Sequence, residues 1–171
     1  MNRGRVQLDA AIAYTLREEQ ARAVRDTKTY YQSHPGGEYL WNAKPRFGKT
    51  LSVYDFCKQV DAQTVLIVTN RPAIANSWCS DYVRFLGMES GYLFVSHVDA
   101  LAGQPHVLDE QGYLDAAAQG EKLYKRIEFV SLQDMKGSKY FGGEYDKLRH
   151  LTELNWDVLV IDEAHEGVDT Y

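Results

Sequence analysis

Cysteine and long apolar runs are both scarce in this sequence of 171 residues. Cys57 and Cys79 are its two cysteines, which is too few for a disulfide framework or for a structural zinc site built on cysteine. We therefore expect both to be core residues in a reducing compartment. No segment approaches the roughly 18 apolar residues of a membrane helix, and no signal peptide follows the first arginines. These absences predict a soluble, cytoplasmic protein without a membrane partner.

An excess of positive charge is also missing, because the formal net charge is −5. The charge is uneven, however: the first 50 residues carry nine lysines and arginines against five acidic residues. A local basic face in the first third is therefore compatible with an acidic total. With 44% hydrophobic and 25% charged residues, the composition is that of a folded domain. We predict an N-terminal arm over residues 1–14 and one domain over residues 15–171.

Short apolar runs alternate with longer segments of helical pattern, which is typical of βαβ units. Strands are predicted at 38–41, 64–69, 92–96, 127–131 and 157–161. Helices are predicted at 15–33 (capped by Thr15), 50–60, 72–86, 114–126 and 145–154, with a flexible glycine-containing loop at 136–144. The expected fold is α/β: a mostly parallel sheet with helices on both faces and functional loops at the C-terminal ends of the strands.

One loop carries a phosphate-binding pattern. Residues 43–50 read AKPRFGKT and match G-x-x-x-x-G-K-[ST], with alanine in place of the first glycine. Backbone N–H groups of such a loop, and of the helix that follows it, bind phosphate oxygens. Lys49 would reach the β- and γ-phosphates and Thr50 would bind Mg²⁺; the alternative is a basic surface turn. The predicted nucleotide-binding residues here are Ala43, Lys44, Pro45, Arg46, Phe47, Gly48, Lys49, Thr50 and Leu51.

The last apolar run ends in an acidic pair, Asp162 and Glu163, followed by Ala164 and His165. Carboxylates at the end of a buried strand need partners, and a metal with a nucleotide would supply them. Asp162 would hold Mg²⁺, mostly through its water shell, and Glu163 would orient or deprotonate the attacking water. Glu163 and Lys49 are thus the predicted catalytic residues.

Together, the phosphate loop and the Asp-Glu-Ala-His box resemble those of superfamily 2 helicases and translocases, most of all the Res subunits of type III restriction enzymes. The resemblance implies a RecA-like P-loop NTPase domain that uses ATP and Mg²⁺. Residues 16–20, LREEQ, resemble the adenine-reading motif of that superfamily, which adds Arg17 and Gln20 to the nucleotide-binding residues. In the family, His165 would link the nucleotide site to a second domain.

Two further blocks resemble those that contact the nucleic-acid backbone: VTNRP at 68–72, followed by Trp78, and FVSLQ at 129–133. We expect phosphate contacts from Asn70, Arg71, Ser131 and Gln133, with polar residues at loop ends as the alternative. His34, His97, His106 and His150 are scattered along the sequence, and we expect them to be ordinary surface or capping residues.

The resemblance also indicates what should lie beyond this chain. Tyr171 follows the box closely, so the family's Ser-Ala-Thr motif and second RecA-like domain are expected to be missing, leaving an inactive fragment truncated after the last strand. The predicted function is the ATP-binding half of a DNA helicase or translocase motor, possibly serving restriction and modification. Its expected partners are double-stranded DNA, the missing C-terminal domain, and methylase or nuclease modules. The alternatives are an ATP-binding switch without translocation and an RNA helicase motor.

Overall fold

The computed structural model describes residues 13–43, 47–120, 123–133 and 149–162. Within these ranges five strands form one all-parallel sheet in the order β3-β2-β4-β1-β5. The strands are β1 (Thr64–Thr69), β2 (Tyr92–Ser96), β3 (Val107–Leu108), β4 (Lys125–Ser131) and β5 (Val158–Asp162). The helices are α1 (Glu18–Ser33), α2 (Lys49–Gln59), α3 (Ala75–Phe85), α4 (Glu110–Gln119) and α5 (Arg149–Glu153). The α/β class is confirmed, and the sheet is consistent with a RecA-like domain.

Strand β1 lies between β4 and β5, and its sequence, TVLIVT, suits that position. Val65 and Ile67 point into the larger core, whereas Leu66 and Val68 point into a smaller core on the opposite face. A continuous apolar run is expected for a parallel strand with both faces covered. The carboxyl end of this strand lies between those of β4 and β5, and Asp162 of the acidic box ends β5.

The larger core is formed with helices α1, α2 and α3, which contribute Val24, Tyr54 and Trp78. The rings of Tyr54 and Trp78 meet edge to face, with centroids 5.5 Å apart, and the Tyr54 hydroxyl donates to the Trp78 carbonyl at 2.6 Å. Cys57 and Cys79 are both buried and unpaired in this core, as expected. Burial raises the pKa of the Cys57 thiol to about 12, so the thiol stays protonated.

The opposite face is covered by α5, whose Leu151 packs with Leu66, Val68 and Val130. Helices therefore lie on both faces, as predicted. On this same face of β5, Leu159 and Ile161 are 57% and 61% exposed. None of the helices within the described ranges has the length and apolar composition needed to cross a bilayer.

The strand predicted at 38–41 is wrong, because this segment has no regular secondary structure. Its aromatic side chains pack on α1 instead of pairing in the sheet. The Trp41 Nε1 donates to the Thr27 hydroxyl at 2.6 Å, and the ring of Tyr39 lies 5.3 Å from that of Tyr30. The aromatic residues of this segment thus contact a helix, whereas Leu40 between them is exposed.

The helix predicted at 114–126 is confirmed only over 114–119, since α4 is Glu110–Gln119 and β4 begins at Lys125. Asp109 caps α4 by accepting a hydrogen bond from the Gly112 N–H at 2.7 Å. The first predicted helix begins at Glu18 rather than at residue 15, so Thr15 is not its cap. The loop predicted at 136–144 and the start of the helix predicted at 145–154 lie outside the described residues.

Candidate nucleotide-binding site

The carboxyl ends of three neighbouring strands, β4, β1 and β5, lie level along one edge of the sheet. Thr69, the last residue of β1, is in register with Ser131 of β4 and with Asp162 of β5. Helix α2 begins at this edge, and its first residue, Lys49, places Nζ 2.5 Å from Asp162 Oδ1. The phosphate-loop lysine and the aspartate of the acidic box are therefore in direct contact.

Asp162 is only 4% exposed, and each of its carboxylate oxygens holds a donor. Lys49 occupies Oδ1, and the Trp78 indole N–H donates to Oδ2 at 3.0 Å. A buried carboxylate is tolerated when it is paired and hydrogen-bonded in this way. The residue expected to hold magnesium is thus fixed in position by α2 and α3.

Trp78 follows the VTNRP block, which resembles one that contacts the nucleic-acid backbone. In the structure, however, Trp78 is only 1% exposed and lies beside Asp162. Trp78→Phe would keep most of the ring packing and remove the N–H donor. We expect the free energy of unfolding to fall by about 1–3 kcal/mol, the usual cost of leaving a buried acceptor unsatisfied.

Urea denaturation measures this loss, with Trp156→Phe as the matched control. The Trp156 indole donates to a backbone carbonyl, that of Leu151, at 3.2 Å and is partly exposed. Its replacement should therefore cost less. Equal losses in the two variants would contradict the role given to the bond between Trp78 and Asp162.

Thr50, the predicted magnesium ligand, donates its hydroxyl hydrogen to Asp81 Oδ2. Asp81 lies within α3 and belongs to no motif, so sequence reasoning missed it. The hydroxyl oxygen of Thr50 keeps its lone pairs for another partner. Oxygen donors from Thr50, Asp81 and Asp162 are the ligand chemistry that Mg²⁺ prefers, so the residues present fit that ion.

Two residues at the start of α1, its N-cap Arg17 and Gln20, hold the phosphate loop by hydrogen bonds. Gln20 Nε2 and Arg17 Nη2 both donate to the Phe47 carbonyl, each at 2.6 Å, and Gln20 Oε1 accepts from the Arg17 backbone N–H at 2.8 Å. Gly48 has the left-handed φ of 80°, and a Cβ there would lie 2.2 Å from Gln20 Nε2. Glycine is therefore favoured at this position by its backbone conformation, and a larger residue would also have to displace the Gln20 amide.

The structure thus brings Arg17 and Gln20 to the loop, where both polar atoms of the Gln20 side chain bond to backbone. Their contact with an adenine base stays a prediction. Ala43 lies at the end of a described segment, and Leu51 is half-buried in the first turn of α2. The remaining predicted residues lie outside the described ranges: Lys44, Pro45, Arg46, Glu163 and His165.

Three of the predicted nucleic-acid residues follow β1 or β4 at the same sheet edge, and the fourth, Ser131, is the last residue of β4. Asn70, Arg71 and Gln133 are exposed there. Ser131 is different, because it is 1% exposed in the register position opposite Thr69. Phosphate contact stays a prediction for these residues, and the exposed ones are better placed for it.

The expectation for the histidines is wrong for two of the four. His97 and His150 lie together beside the buried Glu128, with their ring centroids 5.7 Å apart. Burial lowers the pKa of His97, despite opposing carboxylates nearby. His34 is a capping residue as expected, since it ends α1 and its ring stacks on Tyr30.

Comparison with known proteins agrees with this geometry. A family model described as the type III restriction enzyme res subunit matches residues 13–171. A Mycoplasma pneumoniae protein, described as the C-terminus of a candidate type II restriction enzyme and methyltransferase, is 31% identical over 162 residues. That match covers 91% of this chain and 20% of the relative, so the chain spans about a fifth of the relative's length. No solved structure matches the chain significantly.

Proposed function

Since the chain belongs to the type III restriction enzyme res subunit family, whose domains are helicase-like, we propose that it binds ATP with Mg²⁺ as the nucleotide-binding half of a DNA translocase motor. The observation that carries the proposal is the contact of 2.5 Å between Lys49 Nζ and Asp162 Oδ1. These residues come from the two sequence motifs that phosphoryl-transfer sites of this type combine.

The start of α2 supplies the donors for a phosphate group. The first hydrogen bond within the helix runs from the Ser52 N–H to the Gly48 carbonyl at 3.1 Å. The N–H groups of Lys49, Thr50 and Leu51 therefore have no acceptor inside the helix. Such N–H groups, together with the helix dipole, form an anion-binding site. The hydrogen bonds from Arg17 and Gln20 to the Phe47 carbonyl fix the loop that precedes these N–H groups.

Lys49 would move between two partners in this site. In the structure, its ammonium group pairs with the buried Asp162. A triphosphate would offer Lys49 Nζ a second anionic partner, and Asp162 Oδ1 would then be available to the water shell of Mg²⁺. Mg²⁺, when bound, neutralises charge on the β- and γ-phosphates. Thr50 would bind the ion with Asp81 as its hydrogen-bond partner, and Glu163 would position the attacking water.

DNA is the proposed nucleic acid along which the motor translocates. The exposed residues Asn70, Arg71 and Gln133 lie at the same sheet edge as the nucleotide residues, which would couple hydrolysis to backbone contacts. The description of the Mycoplasma relative combines restriction with methylation. This supports double-stranded DNA as the substrate and methylase or nuclease modules in the same system. The second RecA-like domain in cis is proposed from the resemblance to helicase motors alone.

Lys49→Ala tests the proposed nucleotide site. We expect the affinity for ADP with Mg²⁺ to fall by about 2–3 kcal/mol, roughly 30- to 150-fold, because hydrogen bonds to charged groups contribute this much. Isothermal titration calorimetry measures the change. The matched control is Lys58→Ala, which removes the same charge from the same helix at a position facing Tyr14.

Asp162 loses its Oδ1 donor in the Lys49→Ala variant, so the unfolding midpoint should be measured as well. A variant that stays folded and binds ADP as tightly as the Lys58→Ala control would refute the assignment of the phosphate loop.

A further inference from the structure

A second cluster of polar side chains lies apart from the nucleotide residues, on the face of the sheet covered by α5. His97 follows β2, Glu128 lies in β4, and His150 lies in α5. One ligand atom from each of the three lies within 4.8 Å of the other two. Three separate elements therefore meet at a group of atoms that could hold one ion.

Glu128 is the centre of the cluster and is 0% exposed. Its Oε1 accepts from Arg126 Nη2 at 2.6 Å and from Arg126 Nε at 3.1 Å. Its Oε2 lies 2.6 Å from His150 Nε2. The arginine thus fixes one oxygen of the carboxylate, and the other oxygen lies against His150. Metal-binding carboxylates are commonly oriented in this way by an outer partner.

His97 has a buried ring nitrogen that the hydrogen-bond network of Arg126, Glu128 and His150 does not satisfy. Its Nε2 is buried and has no hydrogen-bond partner among the residues that the structure describes. Buried polar atoms nearly always have a partner, and an unsatisfied one requires an explanation such as a bound ion. A metal ion would give this nitrogen a partner.

The charges of the cluster also favour a cation. Arg126 is paired with two carboxylates, those of Glu110 and Glu128, so one negative charge is left uncompensated among these three side chains. Both oxygens of Glu110 accept hydrogen bonds from Arg126. The Oε2 atom of Glu128 is therefore the carboxylate oxygen best placed to meet an ion.

We propose that His97, Glu128 and His150 bind one divalent transition-metal ion of the zinc class. Two imidazole nitrogens and one carboxylate oxygen are a ligand set typical of zinc, with the remaining position taken by water. The site differs in chemistry from the oxygen donors of Thr50 and Asp162, which suit Mg²⁺. A bound ion would link the end of β2, β4 and α5, and would stabilise this face of the sheet.

The test uses the full-length protein without a histidine tag, stripped of metal and kept in excess Mg²⁺ so that the nucleotide residues do not compete. Co²⁺ and Zn²⁺ are the probes. We expect one equivalent of Co²⁺ to give visible d–d absorption bands, Zn²⁺ to displace it, and Zn²⁺ to raise the unfolding midpoint.

His97→Ala is the decisive variant because His97 makes no hydrogen bond through Nε2, so the network of Arg126, Glu128 and His150 stays intact. We expect its Zn²⁺ affinity to fall more than ~10-fold, the least that even an outer partner of a metal ligand contributes. His106→Ala, which removes a histidine outside the cluster, should bind like the unmodified protein.

His150→Gln provides a second variant that keeps a polar group beside Glu128 and should also lose Zn²⁺ affinity. Failure of the unmodified protein to bind Co²⁺ would overturn the proposal. Binding that His97→Ala leaves unchanged would overturn it as well, and would identify the cluster as a hydrogen-bond network only. Neither result affects the nucleotide site, which the Lys49→Ala variant tests separately.

Discussion

Glu163→Gln in the full-length protein is expected to reduce ATP hydrolysis by about 10²- to 10⁴-fold, the usual contribution of a general base. The residue follows Asp162, which the structure fixes at the C-terminal end of β5. Glutamine keeps the shape of the side chain but cannot accept a proton from water. Binding should survive, because the proposed phosphate contacts come from Lys49 and the start of α2. A phosphate-release assay measures hydrolysis, and calorimetry measures binding.

Glu153→Gln is the control for this variant, since it makes the same chemical change at an exposed position on α5. It should hydrolyse ATP at the normal rate. Normal turnover by Glu163→Gln would show that another group activates the water. Loss of nucleotide binding together with turnover would indicate instead that Glu163 supports the structure of the site.

The parts of the fold that the sequence predicted well are those with an unbroken local pattern. The predicted bounds of the strands at 64–69 and 92–96 agree with those of the structure. Both are short apolar runs covered on two faces, and such runs carry their own signal. The strand predicted at 38–41 failed because its tyrosine and tryptophan pack on α1, a contact that period and composition do not reveal.

The meeting of Lys49 with Asp162 was predictable for a different reason. In a parallel sheet the functional residues gather at the carboxyl ends of the strands, and Asp162 ends β5 as expected. Lys49 reaches that edge of the sheet from the start of α2, although the segment before the phosphate loop is not the strand predicted at 38–41. The supporting residues were not predictable. Trp78 and Asp81 contact Asp162 and Thr50 from α3, and their roles depend on how that helix packs against α2.

The cluster of His97, Glu128 and His150 shows the same limit more clearly. Nothing in the spacing of these residues resembles a metal motif. They meet because β2 pairs with β4 and because α5 covers that face of the sheet. A single sequence without its topology therefore leaves them as separate residues.

Residues 1–171 expressed alone are expected to hydrolyse ATP about 10³- to 10⁵-fold more slowly than a protein that also carries a second RecA-like domain. This range is what an arginine supplied to the γ-phosphate contributes in phosphoryl transfer. Of the arginines in the described part of the chain, Arg17 contacts the phosphate loop, but it does so by bonding the Phe47 carbonyl. The catalytic arginine is thus expected from the second domain.

Adding the second RecA-like domain should restore DNA binding together with hydrolysis. Affinity for DNA grows with the number of phosphates that a protein neutralises, and a second domain supplies more cationic contacts. This chain carries a net charge of −5, and Arg71 is the cationic residue among those predicted to contact the DNA backbone.

Steady-state ATPase assays test both points. They compare the long protein, which carries the second RecA-like domain, with the short protein, residues 1–171, in the presence of double-stranded DNA, of RNA and of no nucleic acid. Stimulation of the long protein by double-stranded DNA supports a DNA motor, stimulation by RNA favours an RNA helicase, and no stimulation favours an ATP-binding switch. Strong DNA-stimulated hydrolysis by residues 1–171 alone would refute the prediction, since the catalytic arginine would then belong to this chain or to a second copy of it.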